Sequence, residues 1–132
     1  MGFAIRDVVV GAVTFMVLDG LWLGLLMTNF YRTQLEPIVR LADGRIAPNW
    51  PAAFAVYILL GTGIALFVIP RVSTTPQAAL FGALLGLVVY GVYDFTNYST
   101  LRDWPFALVL VDVAWGAAAT AACATVVWIV AR

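Results

Sequence analysis

Three aspartates stand where aspartate is costly. Asp19, Asp94 and Asp112 each lie inside a long apolar run of this 132-residue chain, and a charged carboxylate at the middle of a membrane helix costs at least about 2.5–3.5 kcal/mol. Such side chains turn towards the interior of a helix bundle, where they hold a proton, a cation or a polar ligand, or act as general acid and base. Their neighbours at helical spacing are also unlike lipid-facing residues. Trp22 shares a face with Asp19, Tyr90 and Asn97 flank Asp94, and Trp115 with Gly116 follows Asp112. The pattern Asp-x-x-Trp occurs twice, at Asp19/Trp22 and at Asp112/Trp115. Together Asp19, Trp22, Tyr90, Asp94, Asn97, Asp112 and Trp115 form the candidate pocket, with Tyr57 at a similar depth.

The rest of the composition restricts what this layer can do. The chain is 64% hydrophobic and 11% charged, and its seven Arg balance seven acids with no Lys and no His. Without Lys there is no Schiff base for retinal or pyridoxal phosphate, and without His there is no histidine-ligated haem or zinc and no imidazole base. The single cysteine, Cys123, excludes a disulfide within the chain and any cysteine metal cluster, and its apolar surroundings suit a packed, inert thiol. Carboxylates, amides, hydroxyls, phenols and guanidinium groups remain. Oxygen ligands at Asp19, Asp94 and Asp112 would suit a hard cation better than zinc or copper. Arg32 and Arg102 are the candidate counter-charges, reaching in from the loops. Without them, close carboxylates repel, and at least one would keep its proton.

The elements that must position these groups are membrane helices. The mean hydropathy of +0.99 is that of a membrane protein, and four stretches meet the requirement of about 20 apolar residues: 8–27, 52–69, 77–98 and 106–131. The first carries Asp19 and lacks a small-residue cleavage site, so it reads as a retained span. The expected fold is all-α, an integral membrane four-helix bundle whose neighbours run antiparallel because the links 70–76 and 99–105 are short. The one long connection, between spans one and two, reads as an interfacial loop or short helix over about 33–47. Within it Asp43-Gly44 signals a turn, and Asn49-Trp50-Pro51 supplies an N-cap, an interfacial aromatic and a helix-starting proline. Four-residue pairs of small side chains, Gly20/Gly24, Gly82/Gly86 and Ala118/Ala122, are expected to let helices approach closely inside the bundle. With alternating helix directions, the three buried aspartates fall in one half of the membrane, beneath the long connection.

Four spans place both termini on one side. Arg6, Arg71 and Arg132 lie on that side and Arg32, Arg40, Arg45 and Arg102 on the other; because the first group abuts span ends and the second is interspersed with acids, cytoplasmic termini are favoured.

The blocks Asp19-Gly-Leu-Trp22, Phe30-Tyr31-Arg32, Asn49-Trp50, Tyr93-Asp94-Phe95-Thr96-Asn97, Ser99-Thr100-Leu101, Trp104-Pro105 and Asp112-Val-Ala-Trp115-Gly116 follow one another along nearly the whole chain. In this order they resemble DUF2177, a family of small four-span bacterial membrane proteins. The resemblance implies a bacterial inner-membrane location and supports Asp19, Trp22, Asp94, Asn97, Asp112 and Trp115 as a shared site. It also implies a genomic association with fatty-acid-modifying genes, and leaves the biochemical role unassigned.

Three functions compete on these residues. The first is binding or transport of a proton, a hard cation or a small polar or cationic ligand, which in so small a protomer would call for a homodimer. The second is a lipid-modifying enzyme or its accessory subunit, with an acyl chain entering between helices. The third is a scaffold whose polar layer merely orders the bundle, with each hydrogen bond worth about 0.6 kcal/mol. The bilayer is the expected surrounding partner, and nucleic acid is disfavoured because no basic stripe exists.

Overall fold

The computed structural model describes residues 4–132. Its four long apolar helices are Ile5–Leu26, Trp50–Arg71, Thr75–Thr100 and Phe106–Ala131, here spans one to four. All eight ends fall within three residues of those expected from hydropathy. The chain's own chemistry sets the boundaries. Asn49 accepts a hydrogen bond from the Ala52 N–H and Pro51 occupies the first turn of span two. Thr74 caps span three by accepting from the Gln77 N–H, while the Gln77 side chain accepts from the Ser73 N–H. At the end of span two, Arg71 donates to the carbonyls of Leu66 and Phe67, which the helix would otherwise leave open. Thr62 and Thr125 satisfy their hydroxyls on carbonyls one turn back, which removes their polarity from the apolar helix surface.

The link between spans one and two is more structured than a loop. A short helix, Thr28–Gln34, is followed by a hairpin pairing Leu41 with Ile46 and Ala42 with Arg45. Asp43 and Gly44 form its turn with φ of 54° and 75°, the mirror-image turn that matches the strand twist and favours Asp-Gly. The expected interfacial segment is therefore a helix ending at Gln34 plus a two-stranded hairpin. The strands are too short for alternation to announce them.

Close helix approach occurs at some of the small residues and not at others. A Cβ on Gly61 would sit 2.5 Å from the Val8 carbonyl oxygen, and one on Gly86 would sit 2.2 Å from the Gly116 carbonyl oxygen. Span two thus lies against span one, and span three against span four, at backbone contact. Gly82 also fits the expectation, facing Ala124 and Thr120 of span four. Gly20 and Gly24 do not: no atom lies within 4 Å of a Cβ at either position, and Ala118 and Ala122 are exposed. Four-residue spacing reports a face, and these faces point out of the bundle.

Span one packs between spans two and four, and span four packs along span three. Span two meets span three chiefly through its π-helical turn, Ile64–Val68. The two are joined by the tight link at Val72–Thr74 and diverge from it, leaving a gap on the side of the hairpin. Arg6 donates to the Ala131 carbonyl at 3.5 Å, so the first and last spans end together at the opposite face. Gly61→Ala and Gly86→Ala are each expected to cost about 1–3 kcal/mol, whereas Gly20→Ala is expected to be neutral, as read by thermal unfolding in mild detergent.

Candidate functional site

The polar layer lies about two helical turns inside the membrane from the hairpin side. Asp19 comes from span one, Tyr57 from span two, Tyr90 and Asp94 from span three, and Asp112 and Trp115 from span four. The two Asp-x-x-Trp motifs cross. The rings of Trp22 and Trp115 stack at 4.3 Å between centroids with 2° between planes, a contact worth about 0.5–1.5 kcal/mol beyond burial. Each indole then serves the other span's carboxylate. Trp115 Nε1 donates to Asp19 at 3.3 Å, and Trp22 Nε1 donates at 3.0 Å to the Tyr31 hydroxyl, which donates to Asp112 at 2.7 Å. Tyr57 completes the Asp19 shell with a 3.0 Å hydrogen bond.

Asp94 is handled differently. Its side chain is completely buried, and neither carboxyl oxygen has a hydrogen-bond partner. The group lies beside the Asp112 carboxylate and the Trp104 indole, whose N–H is also unpartnered. Tyr90 packs its ring on Gly116, where a Cβ would stand 2.1 Å from the ring, and faces Phe15 at 6.3 Å. Asn97, one turn beyond Asp94, lies beside Tyr93 and does not border the cavity described below.

The sequence-derived residues therefore do not all converge. Asp19 and Asp112 belong to two separate hydrogen-bonded groups, and Asp94 lies beside the second without a hydrogen bond to it. Among the described residues, no three His, Cys, Asp or Glu side chains come together as a metal-ligating group, Asp19, Asp94 and Asp112 included. The donors that orient Asp19 and Asp112 come from different elements. The expected counter-charges also lie elsewhere. Arg32 donates to the Gly44 carbonyl at 2.9 Å and to Asn29 at 3.2 Å, which ties the hairpin to the short helix, and Arg102 is exposed in the turn before span four. Tyr31 is the residue that sequence reasoning underrated. It stands next to Arg32 as one polar cap among several, but its ring is buried and it is the only direct hydrogen-bond donor to Asp112 among the described residues.

A cavity of about 660 Å³ runs from the connecting segment past the layer and on between spans two and three, within the range of about 300–1,000 Å³ common for small-molecule sites. Asp19, Asp112, Tyr31, Tyr90, Tyr93 and Trp104 contribute its polar groups. Its two long walls are apolar: Val56, Leu59 and Phe67 from span two, and Leu85 and Val89 from span three. These are the spans that diverge, and all five wall residues except Leu85 are exposed on the protein surface. Leu35, Val39 and Ile46 of the connecting segment roof the cavity.

A family model described as a predicted membrane protein, DUF2177, matches residues 4–129. The chain belongs to this family. Comparison with curated proteins and with solved structures gives no match. For this DUF2177 protein the match accords with a multi-pass membrane protein of four spans.

Burial, and then the Asp112 charge, push the Tyr31 phenol above its ordinary range. In the unfolded chain that phenol ionises near 10, so above this pH the unfolded state binds fewer protons and stability falls as pH rises. The loss attributable to Tyr31 is at most about 1.4 kcal/mol per pH unit. Thermal unfolding between pH 9 and 11 is therefore expected to fall more steeply for the unmodified protein than for Tyr31→Phe.

Proposed function

We propose that this DUF2177 protein binds a single-chain amphiphile taken directly from the bilayer, with the chain between spans two and three and the polar end at Asp19 and Asp112. The observation that carries the reading is the cavity's division: carboxylates and phenols at one end, and uninterrupted aliphatic and aromatic walls along the divergent spans. A soluble ion or sugar would gain nothing from Val56, Leu59, Phe67, Leu85 and Val89, whereas each buried methylene contributes about 0.8 kcal/mol. The preformed polar end favours this over a scaffold role, since a layer that only orders helices needs no adjoining space. Among the carboxylate functions, binding is the part of the reading that the geometry supports directly; chemistry on the bound molecule would need a nucleophile or electron carrier.

The test uses 11-bromoundecanol, whose bromine quenches tryptophan fluorescence on contact. Trp104 lines the cavity and Trp22 and Trp115 lie at its polar end. Saturable quenching is expected for the unmodified protein in mild detergent, together with at least tenfold weaker quenching in Gly63→Phe and in Val89→Phe, which fill the gap from opposite walls. Linear, unsaturable quenching that is identical in all three proteins would overturn the reading.

A further inference from the structure

The cavity's polar end is unbalanced in a way that specifies what must enter it. A carboxylate offers about four acceptor positions. Asp19 receives two donors, Asp112 receives one, and Asp94 receives none. Four nearby donors are committed, Tyr57 and Trp115 to Asp19, Trp22 to Tyr31, and Tyr31 to Asp112, and the neutral Trp104, Tyr90 and Tyr93 groups on the lining are outnumbered by the open acceptor positions. No arginine borders the cavity. Arg6 pairs with Asp7, Arg32 and Arg71 are bound to carbonyls, and Arg132 lies over Trp128, while Arg40, Arg45 and Arg102 are exposed.

The acceptors are also stacked in depth. Asp112 borders the cavity, and Asp94 lies behind it, wholly buried with both oxygens open. A buried carboxyl without partners forfeits the hydrogen bonds that would offset its desolvation. An incoming group that supplies hydrogen-bond donors and positive charge at Asp112 fills its open acceptor positions and offsets the charge that Asp112 presents to Asp94. An anion there meets like charge at Asp112 and a surplus of acceptors, with no cationic side chain to receive it.

From this we infer that the cavity selects an amphiphile whose head is an ammonium group on a single alkyl chain, held at Asp112 with Asp94 behind it, and that it rejects a carboxylate head. An ammonium carries three donors on one compact centre, which matches a site whose open acceptors outnumber its donors and which no cation borders. This inference rests on the reading of the cavity as an amphiphile site and adds the identity of the head.

Three probes of equal chain length separate the two. Dodecylammonium, dodecanol and dodecanoate would each compete with 11-bromoundecanol for the quenching site at pH 7.5. Dodecylammonium is expected to displace it at a concentration at least tenfold below dodecanoate, with dodecanol between them. In Asp112→Asn and in Asp94→Asn, the ammonium advantage is expected to shrink to within threefold of dodecanol. Equal displacement by amine and carboxylate, or an amine preference that persists in both variants, would overturn the head-group inference while leaving the amphiphile site in place. Absence of saturable quenching in the unmodified protein would instead remove the amphiphile site, and with it this inference.

Discussion

A carboxyl group placed in hydrocarbon needs donors that the hydrocarbon does not have, and the bundle is organised around that need. Asp19 and Asp112 obtain theirs from other elements: Asp19 from spans two and four, Asp112 from the connecting helix with Trp22 of span one behind it. The Trp22–Trp115 stack holds both indoles at one place, so the spans carrying the two motifs must meet there in register. A helix rotation that separated the rings would also leave Asp19 short of one donor and break the relay through Tyr31. Aromatic packing and carboxylate solvation are thus one constraint, since buried polar groups linked in this way rise or fall together.

Backbone contacts then determine where space remains. Gly61 draws span two onto span one, and Gly82 with Gly86 draws span three onto span four. Two tight pairs joined by a short link at Val72–Thr74 leave the outer two spans free to diverge on the other side. The connecting helix and hairpin cover the end of that gap and carry Tyr31 down to Asp112. The lateral opening therefore follows from which glycines are in contact, together with the position of the link.

Much of this arrangement is legible in the residues. Long apolar runs give the spans, Asn49 and Pro51 mark the start of span two, and the cost of burying charge picks out Asp19, Asp94 and Asp112 before any coordinates. The repeated Asp-x-x-Trp pattern marks the faces that stack. What escapes is pairing between distant positions. Gly61, which pairs with Ala65 at four-residue spacing, meets Val8, whereas Gly20 and Gly24 have the same spacing and meet nothing, so the spacing alone does not tell a contact face from a free one. Tyr31 looks like one of several polar caps because only the folded connection brings it onto Asp112. Arg32, its neighbour, points the other way and fastens the hairpin, since adjacent residues in a helix occupy different faces.

Gly116 sits at the meeting of these features. It lies one residue beyond Trp115, and its missing side chain is the recess that receives the Tyr90 ring. Helix packing and cavity shape are thereby decided by the same hydrogen atom. A methyl group there would press on the ring that borders the carboxylates and, through it, on spans three and four where they are packed most closely. The dimensions of the binding space are therefore fixed from behind its wall, by a residue that a ligand would never touch.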